Sequence, residues 1–402
     1  MDVKQFYFNS LFFIYGVVLI VCDNIQYLKY IHIINILIGV SFLVDFFLSK
    51  DKASINTFFK IYIAFVLVTL LSSFLSEDFV YAARKSLTQF LIFFNIFIIY
   101  NINKKYNNYM YLVYGIFFAL VINFLWLIGV IDLDLTYKGW RFQGTVLQAN
   151  NFVFILMFGM MMAIYNILSL DETRELLKIL MYAIFVISLY MVFFTASKAG
   201  LISSIILIIL LVLLSVNYRN ILIVFCMLLA GYIIFSYTEL IDIILDNSTL
   251  DLEYTWVNLL ERIDSFSSGM ESGAASTETS TSLRIKMIYD AFGMWSDSPI
   301  FGNGIAAFEI KYGHYSHNNI MELLVSFGLL GFMLYYSLYV YMFLQIRKIH
   351  QKYIKIIFIF FLILFLLFDQ SIVSYTGKFK ILALFILYLS IQNSIRRYKG
   401  II

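Results

Sequence analysis

Residues 109–131 read YMYLVYGIFFALVINFLWLIGVI, a run without one charged side chain. About 20 consecutive apolar residues suffice for a helix to cross the hydrocarbon core of a bilayer. The whole chain of 402 residues has this character, being 62% hydrophobic, 19% aromatic and 13% charged, with a mean hydropathy of +0.88. Such a composition cannot cover a water-facing surface and excludes a soluble enzyme. The sequence therefore predicts an all-α, polytopic integral membrane protein.

Comparable apolar runs along the chain predict twelve transmembrane helices within a single membrane domain, 1–402. The predicted spans lie near 7–22, 30–48, 55–75, 86–100, 109–131, 151–168, 179–195, 200–216, 221–238, 318–345, 354–368 and 379–394. The first run is expected to remain in the protein, because no small-residue cleavage site follows Cys22. Cys22 and Cys226 both lie in apolar runs, so neither a disulfide framework nor a thiolate metal site is predicted.

The distribution of basic residues predicts the orientation in the membrane. Fifteen Lys and Arg lie on the side that carries both termini, against eight in the short loops of the other side. Cytoplasmic segments of membrane proteins carry the excess of Lys and Arg. Both termini are therefore predicted to be cytoplasmic.

The longest break in the apolar pattern, residues 239–316, is predicted to be an extracytoplasmic loop between the ninth and tenth helices. Apolar residues at helical spacing around Trp256 predict an amphipathic helix lying in the interface. The Gly, Ser and Thr residues of 265–282 predict a flexible connection, and a second short helix is expected over 283–295.

Charged residues are scarce within the predicted spans. Asp45 and Lys60 are exceptions, and each lies near the end of its span, where the two are expected to pair or to snorkel to the interface. A proton-coupled transporter would be expected to place ionisable residues near the middle of its helices. The functional chemistry is therefore expected in the outer loops.

Two short outer loops carry basic residues that suit phosphate binding. Arg141 lies in the loop Trp140-Arg141-Phe142-Gln143-Gly144, close to Lys138, and a guanidinium fork matches phosphate oxygens. Lys198 lies in a polar hinge that joins two apolar helices, Thr195-Ala196-Ser197-Lys198-Ala199-Gly200. Each cation also has a simpler interpretation as an interfacial residue at a helix boundary.

A third group of polar residues follows the flexible stretch. It consists of Arg284, the sequence Pro299-Ile300-Phe301-Gly302-Asn303-Gly304, and His314, His317, Asn318, Asn319 and Glu322. Asn319 and Glu322 have the spacing of a capping box at a helix start. An imidazole such as that of His317 is suited to accept a proton from a hydroxyl near neutral pH. The alternative for His317 is a helix-capping or interfacial role.

A competing possibility is a divalent metal site at Asp132-Leu133-Asp134. Two carboxylates at this spacing can ligate Mg²⁺ or Mn²⁺ through oxygen. Acidic residues also commonly end a membrane helix, and no further carboxylate is clearly paired with these two. We therefore expect no metal and no other cofactor.

The ordered motifs of residues 135 to 335 resemble the O-antigen polymerase and ligase superfamily of bacterial surface polysaccharide assembly. The matching features are Arg141-x-x-Gly144 with Asn150, Thr195-x-Ser197-Lys198-x-Gly200, Arg284, Pro299 to Gly304, His317-Asn318-Asn319, Glu322-Leu323-Leu324 and Gly328-Leu329-Leu330-Gly331. The hinge of this family usually carries Arg where Lys198 stands here. Lysine keeps the charge and loses the bidentate fork.

The resemblance implies a GT-C-like membrane glycosyltransferase that takes its glycan from a polyprenyl pyrophosphate and uses no metal. By motif, Arg141, Lys198 and Arg284 would hold the pyrophosphate and His317 would act on the acceptor hydroxyl. Asn318, Asn150, Lys138 and Arg262 are supporting candidates. The partners implied are the lipid-linked donor, the acceptor glycan, membrane lipid and a chain-length-regulating co-polymerase, and no nucleic acid.

Three functions follow from this interpretation. We expect a polymerase of O-antigen or capsular repeat units at the outer face of the inner membrane, with inversion at the anomeric carbon. One alternative is an O-antigen ligase that transfers finished polymer to a lipid A core. The other is a transporter or flippase for a lipid-linked sugar, which would require a polar pathway at the membrane midplane.

Overall fold

The computed structural model describes residues 3–23, 27–49, 53–133, 135, 142–169, 175–195, 197–214 and 280–398. Regular structure in these ranges consists of helices, without any strand. The helices are α1 Val3–Val21, α2 Leu28–Ser49, α3 Thr57–Ser72, α4 Phe79–Tyr106, α5 Tyr109–Leu127, α6 Ala149–Ser169, α7 Glu175–Phe194, α8 Lys198–Leu214, α9 Ser280–Asp297, α10 Ala307–Tyr312, α11 Asn319–Ile346, α12 Lys352–Asp369 and α13 Lys378–Tyr398. A short 3-10 turn, Ser73–Leu75, follows α3.

Nine helices of this part of the chain are long and apolar enough to cross a membrane: α1 to α7, α11 and α13. The apolar portion of α8, Ala199–Leu214, is shorter. These helices confirm the prediction of a polytopic, all-helical membrane protein. The total of twelve spans stays a prediction, since the span expected at 221–238 lies outside the described residues.

Of the long loop predicted at 239–316, the structure describes the part from residue 280 onward. The helix expected over 283–295 is present as α9, Ser280–Asp297, and the short helix α10 follows it. The helix predicted around Trp256 and most of the flexible stretch lie outside the described residues. The extent of the loop and its side of the membrane stay predictions.

The chain divides into two compact units. The first comprises Met1–Leu11, Ile33–Tyr109 and Thr277–Ile402, and the second comprises Phe12–His32 and Met110–Ser276. Arg284 and His317 belong to the first unit, whereas Arg141 and Lys198 belong to the second.

In the first unit, α3 packs against α4 and α11, and α9 packs along α11. The buried rings of Phe65, Phe327, Tyr335 and Tyr375 contact one another at centroid distances of 5.3–6.4 Å between α3, α11 and the residues before α13. Edge-on and tilted aromatic pairs of this kind add about 0.5–1.5 kcal/mol each beyond their buried area. This aromatic core fixes α11, whose first turn adjoins the candidate site.

In the second unit, α6 is the most buried span and packs against α7 and α8. The loop before α6 is tied down by buried hydrogen bonds. The backbone N–H of Thr145 donates to Asn123 Oδ1 at 2.8 Å, and the Thr145 hydroxyl donates to the carbonyl of Ile20 at 2.9 Å. Buried polar groups carry a penalty unless they are paired in this way. The segment that follows Arg141 is therefore held against the helices.

Candidate active site

His317 lies in the short segment between α10 and α11 in a backbone conformation that is unusual for its residue type. Its φ is +54°, in the left-handed region that non-glycine residues seldom occupy. The side chain is half-buried, and its ring contacts that of Tyr315 at a centroid distance of 4.2 Å. Strained backbone of this kind costs of order 1–3 kcal/mol and is concentrated at functional sites.

The electrostatic surroundings of His317 favour the neutral imidazole. Burial lowers its pKa below the ordinary value of 6.5, and the positive charges of Arg284 and His314 lower it further. Among the predicted site residues, Arg284 of α9 thus acts electrostatically on His317 of the segment before α11. A neutral imidazole at neutral pH has a lone pair with which to accept a proton.

Asn318 caps α11, and the capping box predicted for Asn319 and Glu322 is wrong by one residue. The side-chain oxygen of Asn318 accepts hydrogen bonds from the N–H groups of Ile320 at 3.0 Å and Met321 at 3.1 Å. Glu322 instead accepts from the backbone N–H of Ser316 at 3.0 Å. Asn319 is already helical, so its side chain is not available to cap. These bonds fix the backbone on both sides of His317.

The side chain of Asn319 joins the start of α11 to the connection between α12 and α13. Its oxygen accepts from the backbone N–H groups of Ser374 at 2.8 Å and Tyr375 at 3.0 Å. Asn318 Nδ2 donates to Gln370 Oε1 at 3.3 Å in the same connection. Both asparagines next to His317 therefore have structural roles.

The sequence Pro299 to Gly304 inserts its backbone into a break in α11 at Gly328. The N–H groups of Asn303 and Gly304 donate to the carbonyls of Val325 at 2.7 Å and Ser326 at 3.1 Å. On the other side of the break, Leu329 N–H donates to Pro299 O at 2.9 Å and Leu330 N–H to Ile300 O at 3.2 Å. Non-helical backbone within a membrane protein has to satisfy its polar groups internally, as it does here.

This insertion explains two of the glycines in the motifs. A Cβ at Gly328 would lie 2.3 Å from the backbone carbonyl of Ile300, and one at Gly302 would lie 2.5 Å from the backbone N of Phe327. Gly328 has φ 61° and ψ −163°, a combination essentially confined to glycine. The motif thus has a packing role that links α9, which carries Arg284, to α11.

Sequence reasoning missed an acidic residue, Glu309 on α10. It accepts hydrogen bonds from Tyr81 Oη at 2.5 Å and Lys85 Nζ at 3.0 Å, both on α4. From the sequence, Lys85 is one of the eight basic residues expected in short outer loops, whereas the structure places it within α4. Glu309 lies only eight residues before His317 in the sequence, and this proximity could have prompted a search for its basic partner.

Sequence reasoning also missed a buried ion pair between Asp369, at the end of α12, and Lys380, in the first turn of α13. The two side chains are 0% and 5% exposed. Asp369 also accepts from Ser374 Oγ at 2.5 Å and from Tyr336 Oη at 3.0 Å. Asp369 and Lys380 therefore add a buried charged pair at helix ends to the exceptions Asp45 and Lys60, and Ser374 of the connection 370–377 contacts it.

Asp45 and Lys60 do not pair with each other. Asp45 Oδ2 accepts from Lys105 Nζ at 2.8 Å, and its other oxygen accepts from Tyr106 Oη at 3.0 Å and from Lys4 Nζ at 3.4 Å. Three closer donors thus satisfy the carboxylate. Lys60 lines a separate cavity, described below.

In the second unit, a backbone hydrogen bond joins the loop 140–144 to the end of α7, directly before the hinge 195–200. Phe142, the residue after Arg141, donates its N–H to the carbonyl of Phe194 at 2.9 Å, directly before the Thr195 hinge. The rings of Phe142 and Phe152 pack at 5.5 Å. Lys198 begins α8, and Asn150 is half-buried in the first turn of α6. The loop that carries Arg141 thus meets the hinge that carries Lys198.

Several predicted site residues lie outside the described residues, namely Lys138, Arg141, Arg262 and Asp134. Asp132, the other half of the proposed metal pair, is exposed after the end of α5. Within the described ranges, no group of three or more His, Cys, Asp or Glu is arranged to hold a metal ion.

Comparison with protein families finds a match over part of the chain. The model of the O-antigen ligase family matches residues 183–336, which include Lys198, Arg262, Arg284 and His317 and leave Arg141 outside. No curated protein matches the sequence. The match confirms, over these residues, the resemblance to the O-antigen polymerase and ligase superfamily.

Proposed function

Starting from this family match, we propose that the chain polymerises lipid-linked oligosaccharide repeat units, transferring glycan from a polyprenyl pyrophosphate to a sugar hydroxyl. The observation that supports the proposal is the half-buried His317 in its left-handed backbone conformation, with a pKa that burial and then the charge of Arg284 lower. One residue offers a positive charge for phosphate oxygens and the other offers a base for a hydroxyl. The pair supplies the two functions that this transfer requires.

The reaction is a direct displacement at the anomeric carbon. His317 accepts the proton of the acceptor hydroxyl while the hydroxyl oxygen forms the new glycosidic bond with the anomeric carbon. The bond between the anomeric carbon and the pyrophosphate oxygen breaks, and its electron pair leaves with the lipid pyrophosphate. One displacement inverts the configuration, and general base catalysis of this kind contributes about 10²–10⁴-fold.

Cationic side chains stabilise the departing pyrophosphate. In this proposal Arg284, Arg141 and Lys198 hold it, because electrostatic stabilisation of developing charge is commonly the largest catalytic contribution. Pyrophosphate needs little protonation as a leaving group, so these residues suffice without a metal. Addition of EDTA is therefore expected to leave activity unchanged, and loss of activity would favour the Asp132 and Asp134 metal site.

Binding of the donor should strengthen the base. In the free protein the charge of Arg284 lowers the pKa of His317. A pyrophosphate bound at Arg284 offsets that charge and adds its own negative charge, so it raises the pKa of His317. The acid limb of kcat, which reports the enzyme–substrate complex, should then lie at higher pH than that of kcat/KM, which reports the free enzyme. Coincident limbs would contradict this coupling.

The family description favours a second candidate, an O-antigen ligase. Both activities share a lipid-linked donor and differ in the acceptor. Purified protein incubated with lipid-linked repeat units should give a ladder of products if it is a polymerase. Single transfer to a lipid A core would identify a ligase. If no new glycosidic bond formed in either assay, the transporter or flippase would be the remaining candidate.

The proposal places the active site at the outer face of the inner membrane, with both termini cytoplasmic. The excess of basic residues on the side of the termini supports this orientation. A Ser276→Cys variant should react with a membrane-impermeant thiol reagent applied from outside, whereas Lys352→Cys should be protected. The reverse pattern would invert the topology and exclude an outer active site.

A further inference from the structure

A cavity of about 340 Å³ lies at the end of the first unit remote from His317. It is lined by the beginning of α3 and by the last turns of α4 and α13, together with Tyr341 of α11. On the continuous helix α4, Lys104 of the cavity follows Lys85, which binds Glu309 of α10, by residues that span roughly 28 Å at 1.5 Å per residue. The cavity, which we call the basic cavity, is therefore separate from the candidate active site.

Three cations from three helices line the basic cavity: Lys60 of α3, Lys104 of α4 and Arg396 of α13. None of the described residues that line it is a carboxylate. In the described part of the chain, the nearby carboxylate of Asp45 forms ion pairs with Lys4 and Lys105, not with any of these three cations. A concave surface with only positive charges favours an anion.

The position of Lys60 is the informative one. Lys104 and Arg396 lie in the last turns of their helices, where a cation offsets the negative end of the helix dipole. Lys60 lies in the first turn of α3, at the positive end, where a cation is unfavourable. A bound anion would interact favourably with Lys60 and with the positive end of α3 together.

Amide side chains supply neutral donors to the same cavity. Asn56 Nδ2 is buried and has no hydrogen-bond partner, although Asn56 Oδ1 caps α3 by accepting from the N–H of Phe59 at 3.2 Å. The oxygen of Asn103 is taken by the backbone N–H of Tyr109 at 2.8 Å. An unpaired buried amide group costs about 1–3 kcal/mol, and a phosphate oxygen would remove that cost.

The aromatic lining indicates the depth of the cavity. Tyr100, Tyr341 and Tyr388 line it, and the ring of Tyr388 stacks on that of buried Phe58 at 4.6 Å. Tyrosines are enriched at the membrane–water interface, at the level of lipid headgroups. A ligand at this depth can extend an acyl chain along the apolar helix surfaces.

We propose that the basic cavity binds the phosphate of an anionic phospholipid headgroup, in the leaflet opposite to His317. Lys60, Lys104 and Arg396 supply the charge, and Asn56 supplies a neutral donor. Basic pockets between transmembrane helices are recognised binding sites for such headgroups. The ligand would brace the ends of four helices of the unit that carries Arg284 and His317.

Native mass spectrometry of the purified full-length protein tests the proposal without any need for turnover. Phosphatidylglycerol should bind more tightly than zwitterionic phosphatidylcholine. Each of Lys60→Gln and Arg396→Gln should weaken phosphatidylglycerol binding about fivefold. Lys60→Arg should retain binding, which separates loss of charge from loss of fold.

The matched control is Lys348→Gln, an exposed cation that follows α11 outside the cavity. It should leave lipid binding unchanged. Equal weakening in this control would mean that general surface potential, not the cavity, attracts the lipid. Equal affinity for the two lipids would overturn the proposal. Displacement of phosphatidylglycerol by inorganic phosphate at comparable affinity would assign the cavity to free phosphate and overturn the lipid assignment.

Discussion

Replacement of Gly328 by alanine should disrupt the junction between α11 and the segment Pro299 to Gly304. The backbone there has φ 61° and ψ −163°, which alanine adopts at a cost of about 1–3 kcal/mol. The new Cβ would also lie 2.3 Å from the carbonyl carbon and oxygen of Ile300, so one of the two backbones has to move. That movement acts directly on the hydrogen bonds that close the break.

The expected loss can be estimated from those bonds. The two on the far side of the break, from Leu329 to Pro299 and from Leu330 to Ile300, are 2.9 and 3.2 Å long. Each contributes about 0.5–1.5 kcal/mol, so losing both adds about 1–3 kcal/mol to the conformational cost. We expect Gly328→Ala to destabilise the protein by roughly 2–6 kcal/mol in total.

This loss is measured by heating the detergent-solubilised protein and determining, by size-exclusion chromatography, the fraction that stays folded at each temperature. Gly293→Ala is the matched control, because Gly293 lies within α9 and its added Cβ would meet nothing within 4 Å. Alanine is favoured over glycine in a helix by about 1 kcal/mol, so the control should be slightly stabilised. If Gly328→Ala melted at or above the temperature of Gly293→Ala, the proposed role of Gly328 in the junction between α11 and Pro299 to Gly304 would be refuted.

The remaining predictions concern the site and its buried support. His317→Ala should lose about 10²-fold or more in turnover with donor binding retained, as measured by separate binding and rate assays. Because the pKa of His317 is lowered in the free protein and its neutral form is the base, kcat/KM should persist below pH 6.5 and fall only through the lower pKa. Arg284→Gln should move that acid limb to higher pH, and an unmoved limb would contradict the pairing. Arg284→Lys should lose most activity because the guanidinium fork is lost, whereas Lys198→Arg should be tolerated in the same product-ladder assay. Asp369→Asn should cost about 3–5 kcal/mol in thermal unfolding, because it leaves Lys380 buried without its charged partner, and an unchanged melting temperature would show that the pair contributes nothing.

The membrane architecture follows from local properties of the sequence. Apolar runs such as 109–131 specify helices because backbone groups in lipid have to be satisfied within each segment. Helix α9 was predictable for a similar reason, since residues 283–295 alternate apolar and polar positions at helical spacing. Each predicted span that falls within the described residues coincides with a helix.

The partners of polar groups could not be predicted in the same way. Asp369 and Lys380 look like ordinary interfacial residues at the ends of two apolar runs, and their pairing depends on how the connection 370–377 folds over them. Glu309 meets Lys85 across more than two hundred residues of sequence, so no local pattern records the contact. Long-range ion pairs of this kind depend on tertiary packing.

The interior of α11 illustrates why sequence periodicity alone does not reveal a break within a helix. Residues 319–346 are apolar enough to predict one continuous span, yet Gly328 is not helical. The break costs helical hydrogen bonds, and the segment Pro299 to Gly304 replaces them with bonds from a different part of the chain. The replacement joins the segment that follows α9 to α11 on both sides of Gly328. A continuous helix would be the more stable isolated segment, so the break persists only because Gly328 admits the backbone of Ile300 and the inserted segment satisfies the backbone groups that the break frees.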